Sequence, residues 1–243
     1  MNEPLRSTRY PVKRESHVDS LFFFRSPQFR LPFTSVYRLP PSGDAKTIRR
    51  AKKYFNYTDA VRRVCEDIVF RLPVFAAIRM EHVAISLVRT RNREMHGVFA
   101  SVTPLRFPGG NLRSFEGGTL LEMPTLNDEQ NRPILYILSI YAPRFVNLTV
   151  TVKINTIVHE LFHISPNFDG STRSFGGRYH AHGASKKDYD AKVERYARQW
   201  LACDPAPELW DFLRYDFKTL CARYGGLTGT RVKVPPMKVI RSA

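Results

Sequence analysis

Between residues 159 and 163 the chain reads His159-Glu160-Leu161-Phe162-His163. Two His four residues apart on a helix project from one face, about one turn from each other. Their imidazole nitrogens can then meet on one tetrahedral Zn2+. A Glu directly after the first His sits beside such an ion and can take a proton from zinc-bound water, whose pKa the metal lowers toward about 7. This is the physical content of the HExxH pattern. The residues around it have helical spacing. At about 100° per residue, Ile154, Ile157, Val158, Leu161, Phe162 and Ile164 fall on one arc, and Asn155, Thr156, His159, Glu160 and His163 fall on the other. The competing reading is a solvated helix face with two surface His, but such a face more often carries Lys, Arg and several Glu.

A catalytic zinc takes three protein ligands and keeps a fourth position open. Three candidates for the third ligand follow. Asp169 stands ten residues after His159, the metzincin spacing, but that pattern needs Gly where this chain has Pro166. The others are His180 and His182, in Tyr179-His180-Ala181-His182-Gly183, and Gly183 would let the backbone come close to a metal. Arg173, Arg178 and Tyr179 have the chemistry to stabilise an oxyanion, although such residues more often hold a loop by hydrogen bonds. Asp169 reads as a turn cap or as an orienter of a ligand His. No spacing implicates His17, His82 or His96.

The string HELFHISPNFDG, followed by GRYHAHG, resembles a metallopeptidase-domain family of phages and bacteria. Its members carry HELxHI, an FDG turn, an Arg- and Gly-rich loop and a later AHG. The layout is also similar to that of Spartan-like DNA–protein crosslink proteases, in which a His-Gly after the loop completes the zinc site. The resemblance covers residues 159–183. By position it implies His159, His163 and His182 as zinc ligands and Glu160 as the base.

Other elements must carry this helix. Thr58 reads as the N-cap of a helix over 59–70 that Pro73 ends. Three strand-like stretches follow, 82–88, 98–105 and 134–141, and the last is apolar almost throughout, as a strand buried on both faces would be. Gly109-Gly110, Gly117-Gly118 and Asn127-Asp128 mark turns. The metal-binding helix spans about 150–164 and stops at Ser165-Pro166. Further helices are expected over 189–201 and 207–224, the second ending at Gly225-Gly226. The expected fold is α+β: a small mixed β-sheet packed against the HExxH helix and flanking helices, a zincin-like arrangement. An edge strand within 97–105 is the expected seat for an extended peptide.

The 243 residues carry 38 Lys+Arg against 22 Asp+Glu, a net charge of +16, which attracts polyanions. Half of that excess lies in residues 1–53, where Pro also recurs, so this stretch reads as an extended, partly disordered basic arm. Residues 54–228 form the expected metallopeptidase domain and 229–243 a basic tail. Cys65, Cys203 and Cys221 form no CxxC pair and read as core thiols in a reducing compartment. No leader-like segment opens the chain, and no apolar run is long enough for a membrane span, so the sequence points to a cytoplasmic protein. The function expected is zinc-dependent hydrolysis of peptide bonds in a protein or peptide substrate. The alternative is a nucleic-acid-associated protein: the basic arm binds DNA or RNA, and the zinc is structural or the protease acts on nucleic-acid-bound proteins.

Overall fold

The run Tyr136-Ile137-Leu138-Ser139-Ile140-Tyr141-Ala142 has almost no polar side chain to offer to water, so it must sit inside a sheet. In a computed structural model, which describes residues 54–90, 97–174 and 185–240, it does. In chain order the elements begin with β1 (Phe55–Asn56), α1 (Tyr57–Arg71), β2 (Val83–Arg89), β3 (Ala100–Pro104), β4 (Arg113–Glu116) and β5 (Thr119–Glu122). They continue with β6 (Leu126–Asn127), β7 (Pro133–Ile134), β8 (Tyr136–Ala142), α2 (Val150–Phe162), α3 (Lys186–Ala202), α4 (Pro207–Trp210), α5 (Phe217–Tyr224), β9 (Leu227–Thr228) and β10 (Lys238–Ile240). The protein is α+β, with small sheets and five α-helices among the described residues.

β8 is the middle strand of a mixed sheet in the order β2-β8-β3. β2 runs parallel to it, with Ile85 opposite Leu138, and β3 runs antiparallel, with Val102 also opposite Leu138. One face of this sheet joins the main core: Tyr136, Leu138 and Ile140 pack in one cluster with Val61, Val64 and Ile68 of α1, Ile154, Ile157, Val158 and Leu161 of α2, and Val193 and Trp200 of α3. Ala84 and Ile137 belong to a second, smaller cluster with Leu105 and Ile134. Because β8 is buried on both sides, its alternating side chains serve two cores at once.

The helix starts show how caps differ from their sequence signals. α1 is capped by Asn56, not by Thr58: the Asn56 side chain accepts from the Asp59 amide at 3.3 Å. Thr58 is buried inside the first turn, and its hydroxyl accepts from the Thr230 amide instead. α1 ends at Arg71, where Pro73 restricts Leu72 to extended backbone. α3 begins at Lys186, because the Ser185 side chain accepts from the Asp188 amide. The single helix expected over 207–224 is broken. α4 gives way to a 3-10 turn over Asp211–Arg214, Tyr215 is extended, and Asp216 caps α5 through the Thr219 amide at 2.7 Å.

Residues 229–240, the described part of the stretch expected as a tail, lie along the body. The Leu87 amide donates to Thr230 O, Ser86 and Val232 exchange hydrogen bonds, and β10 pairs antiparallel with β5. β5 also pairs with β4 across the Gly117-Gly118 turn, where both glycines take positive φ, as a two-residue hairpin loop requires. Cys65 and Cys221 are buried free thiols, but Cys203, expected in the core, is exposed at the end of α3. No helix among the described residues is long and apolar enough to cross a membrane. Residues 1–53 lie outside the described residues.

Candidate metal centre

α2 is apolar enough to enter the core, yet it brings polar groups with it. The chemical groups of the arc expected to be its polar face do not meet solvent: His159 and Glu160 are each 1% exposed and His163 is 7% exposed, while Asn155 is half-buried. The reason lies in distant elements. β3 covers Glu160, and Tyr189 of α3 covers the two imidazoles. Burying a carboxylate and two imidazoles costs several kcal/mol unless each finds partners, so the packing must compensate.

The geometry of the pair is specific. His159 Nε2 and His163 Nε2 stand 2.9 Å apart, with the rings inclined at 78°. At that distance one ring nitrogen donates its proton to the other's lone pair. The same two lone-pair positions suit a cation. Zinc–nitrogen bonds of about 2.0–2.1 Å in tetrahedral geometry put two ligand nitrogens about 3.3 Å apart, so the pair would part by only a few tenths of an ångström. The donor set therefore fits a zinc ion as far as its first two ligands.

Glu160 Oε2 accepts a hydrogen bond from the Val102 amide at 2.8 Å. In β3 the odd residues face β8, as the bond from the Tyr141 amide to Phe99 O shows, so Val102 presents its amide to the outer edge. Pro104 lies in the same outward register and has no N–H to offer, which is tolerated only on an edge. Among the described residues β3 is thus an edge strand, as expected within 97–105, and the Val102 N–H on its outer edge is bonded to Glu160.

After α2 the chain doubles back. Ile164 and Thr172 form a bridge, the Ser165 amide donates to Ser171 O, and the Arg173 amide donates to His163 O at 2.7 Å. The turn of this strap is Phe168-Asp169-Gly170. Gly170 has φ +85°, and a Cβ there would fall 2.4 Å from Arg106 Cγ, so both the backbone and the packing demand glycine. The Tyr136 hydroxyl clamps the turn: it accepts from the Gly170 amide and donates to Ser171 O. Burial pushes that hydroxyl's pKa up, which keeps it a neutral donor.

Asp169 does not join the two His. Its Oδ1 accepts from both the amide and the hydroxyl of Ser171. Partial burial pushes the carboxyl upward, but the hydrogen bonds from Ser171 and Ser165 outweigh it and hold Asp169 below the usual carboxylate range. It is a turn cap. Arg173, expected as a possible oxyanion group, caps the helix instead: Nε donates to Phe162 O at 2.7 Å and the guanidinium lies 4.4 Å over the Phe162 ring. Burial lowers its pKa from the usual guanidinium value, and its charge sits at the carbonyl end of α2, where the helix dipole favours a cation. His82 Nδ1 donates to Pro133 O at 2.6 Å.

His180 and His182, with Arg178 and Tyr179, lie outside the described residues, as do His17 and His96. Among the described residues no group of three His, Cys, Asp or Glu is placed to hold a metal. The flanks of 175–184 are placed. On one side Arg173 is bonded to His163 O; on the other, Tyr189 packs 5.0 Å from the His159 ring and 5.4 Å from the His163 ring.

Two residues with large roles here carried no signal in the sequence. Lys153 is fully buried on α2, and its ammonium donates to Leu213 O at 2.9 Å and Tyr215 O at 2.8 Å. Those two bonds hold the broken region between α4 and α5. Burial pulls the Lys153 pKa down to about 8, against the upward pull of Asp216. Tyr189 is the other. Compared with known protein families, curated proteins and solved structures, the chain matches none.

Proposed function

We propose that the protein is a zinc-dependent peptidase of zincin-like build, with His159 and His163 as zinc ligands and Glu160 as general base. One observation carries the reading: two imidazole Nε2 atoms converge to 2.9 Å on a buried helix face, next to a carboxylate fixed by a strand amide. A fold has no need of that arrangement for stability, since apolar side chains would pack α2 at lower cost. The third ligand is assigned to the segment 175–184, which contains His180 and His182 and whose flanks both reach the His pair. His182 is preferred because the resemblance of the AHG string places it there.

A zinc ion held by these imidazoles would supply Lewis-acid polarisation of a carbonyl and acidify water at neutral pH. The chain's own groups do the rest. Glu160 takes the proton of the attacking water and passes it to the leaving amine. Its bond to the Val102 amide fixes the Oε2 carboxylate oxygen. The outer edge of β3 runs beside Glu160, so an extended peptide lying along β3 would pass the base, although the Val102 N–H is already bonded to that carboxylate and is not open to it.

The test compares peptide hydrolysis by wild type and by Glu160→Gln at matched zinc content. Zinc retained with turnover lost supports the reading. A variant that binds zinc and hydrolyses peptide as fast as wild type defeats it.

A further inference from the structure

The first buried residue of α3 is Tyr189, 2% exposed, followed at helical spacing by Val193, Ala197 and Trp200. A helix needs only an apolar side chain at such a position, and the other three supply that. Tyr189 does more than fill space. Its ring lies almost parallel to the His163 imidazole, at 28° and 5.4 Å, and edge-on to the His159 imidazole, at 69° and 5.0 Å. It also meets Phe162 at 5.2 Å. Phe162 is itself held from the other direction by the Arg173 guanidinium. The Tyr189 hydroxyl approaches His159 O at 3.4 Å, the long limit of a hydrogen bond.

An imidazole turns on a broad, roughly two-fold torsion about its terminal bond. A helix backbone alone therefore cannot hold two ring nitrogens on one point. Something must press on the ring faces. One aromatic ring touching both imidazoles can set both at once.

We infer that Tyr189 is a positioning residue of the metal centre: its ring fixes the orientation of both the His159 and His163 imidazoles so that their Nε2 atoms converge. This rests on the zinc-site reading above. The ring faces carry the role, because one ring meets both imidazoles.

The test uses the full chain, stripped of metal and titrated with Co2+, whose visible absorption reports ligand geometry. Wild type is compared with Tyr189→Phe, which keeps the ring, and Tyr189→Met, which fills much of the space without one. The expected result is that Tyr189→Phe matches wild type in both Co2+ affinity and spectrum. Tyr189→Met should bind Co2+ more weakly by on the order of 10–100-fold, with an altered spectrum and a circular-dichroism spectrum like that of wild type. The inference is overturned if Tyr189→Met matches wild type in affinity and spectrum, or if Tyr189→Phe loses Co2+. If wild type takes up no Co2+ at all, the zinc-site reading itself fails, and this inference with it.

Discussion

The two ends of α2 solve the same problem differently. Lys153 near the start and the His159, Glu160, His163 group near the end are all polar side chains on a helix buried in the core. Lys153 donates to two backbone carbonyls of the α4–α5 connection, Leu213 O and Tyr215 O. It is a strut. At the other end the imidazoles point at each other, and the carboxylate is held by a strand edge. The difference teaches how to read a buried polar group. Lys153 bonds to backbone carbonyls, whereas the two imidazoles converge on one point beside a carboxylate, the arrangement proposed above to do chemistry.

Four substitutions sharpen or break this contrast, and the largest effect belongs to the chemical end. Glu160→Gln should cut peptide turnover by roughly a thousandfold, while leaving zinc content and melting temperature close to wild type, because the amide oxygen can still accept from Val102. Loss of folding in that variant would mean that the carboxylate is a strut too. Next comes Gly170→Ala, in the strap that anchors the helix end. The positive φ and the contact with Arg106 should cost roughly 2–4 kcal/mol, read as a lowered denaturant midpoint.

At the structural end, Lys153→Met leaves the carbonyls of Leu213 and Tyr215 unpaired, and should cost about 1–3 kcal/mol without loss of metal. It carries a pH signature. The folded-state pKa, about 8, lies below the ordinary 10.5, so between them the unfolded chain binds more protons than the folded one. The cost of burying the charge is complete below about pH 8 and fades as pH rises toward 10.5. Wild type should therefore gain stability relative to Lys153→Met across that window, measured by urea melts. The smallest effect is expected for Val102→Pro. It removes an amide directed away from β8, so the ladder survives, and turnover should fall roughly tenfold with little change in melting.

Periodicity made β8 and α2 legible, because a seven-residue apolar strand and a helix with one apolar arc admit few other readings. It also grouped His159, Glu160 and His163 on one side. It could not tell what covers that side, since Val102 and Tyr189 come from strands and helices 58 and 30 residues away. The break in 207–224 was invisible for the same reason: Lys153 holds Leu213 O from 60 residues off. Asn56 rather than Thr58 caps α1 because Thr58 is drawn inward to Thr230, a contact 172 residues long. The two-residue strands β1, β6, β7 and β9 are too short to leave a pattern. The FDG string signalled a turn, and the positive φ of Gly170 fits it, but the second demand for glycine there comes from Arg106, which no local rule reveals.

The central claim is that α2 ends in a zinc site completed from the segment 175–184. Metal analysis of the purified full chain, beside His163→Ala, His182→Ala and Asp169→Ala, tests it most directly. One zinc per chain is expected in wild type and in Asp169→Ala, and its loss in His163→Ala and His182→Ala. A wild type that holds no zinc after reconstitution, or a His163→Ala variant that holds as much as wild type, would contradict it.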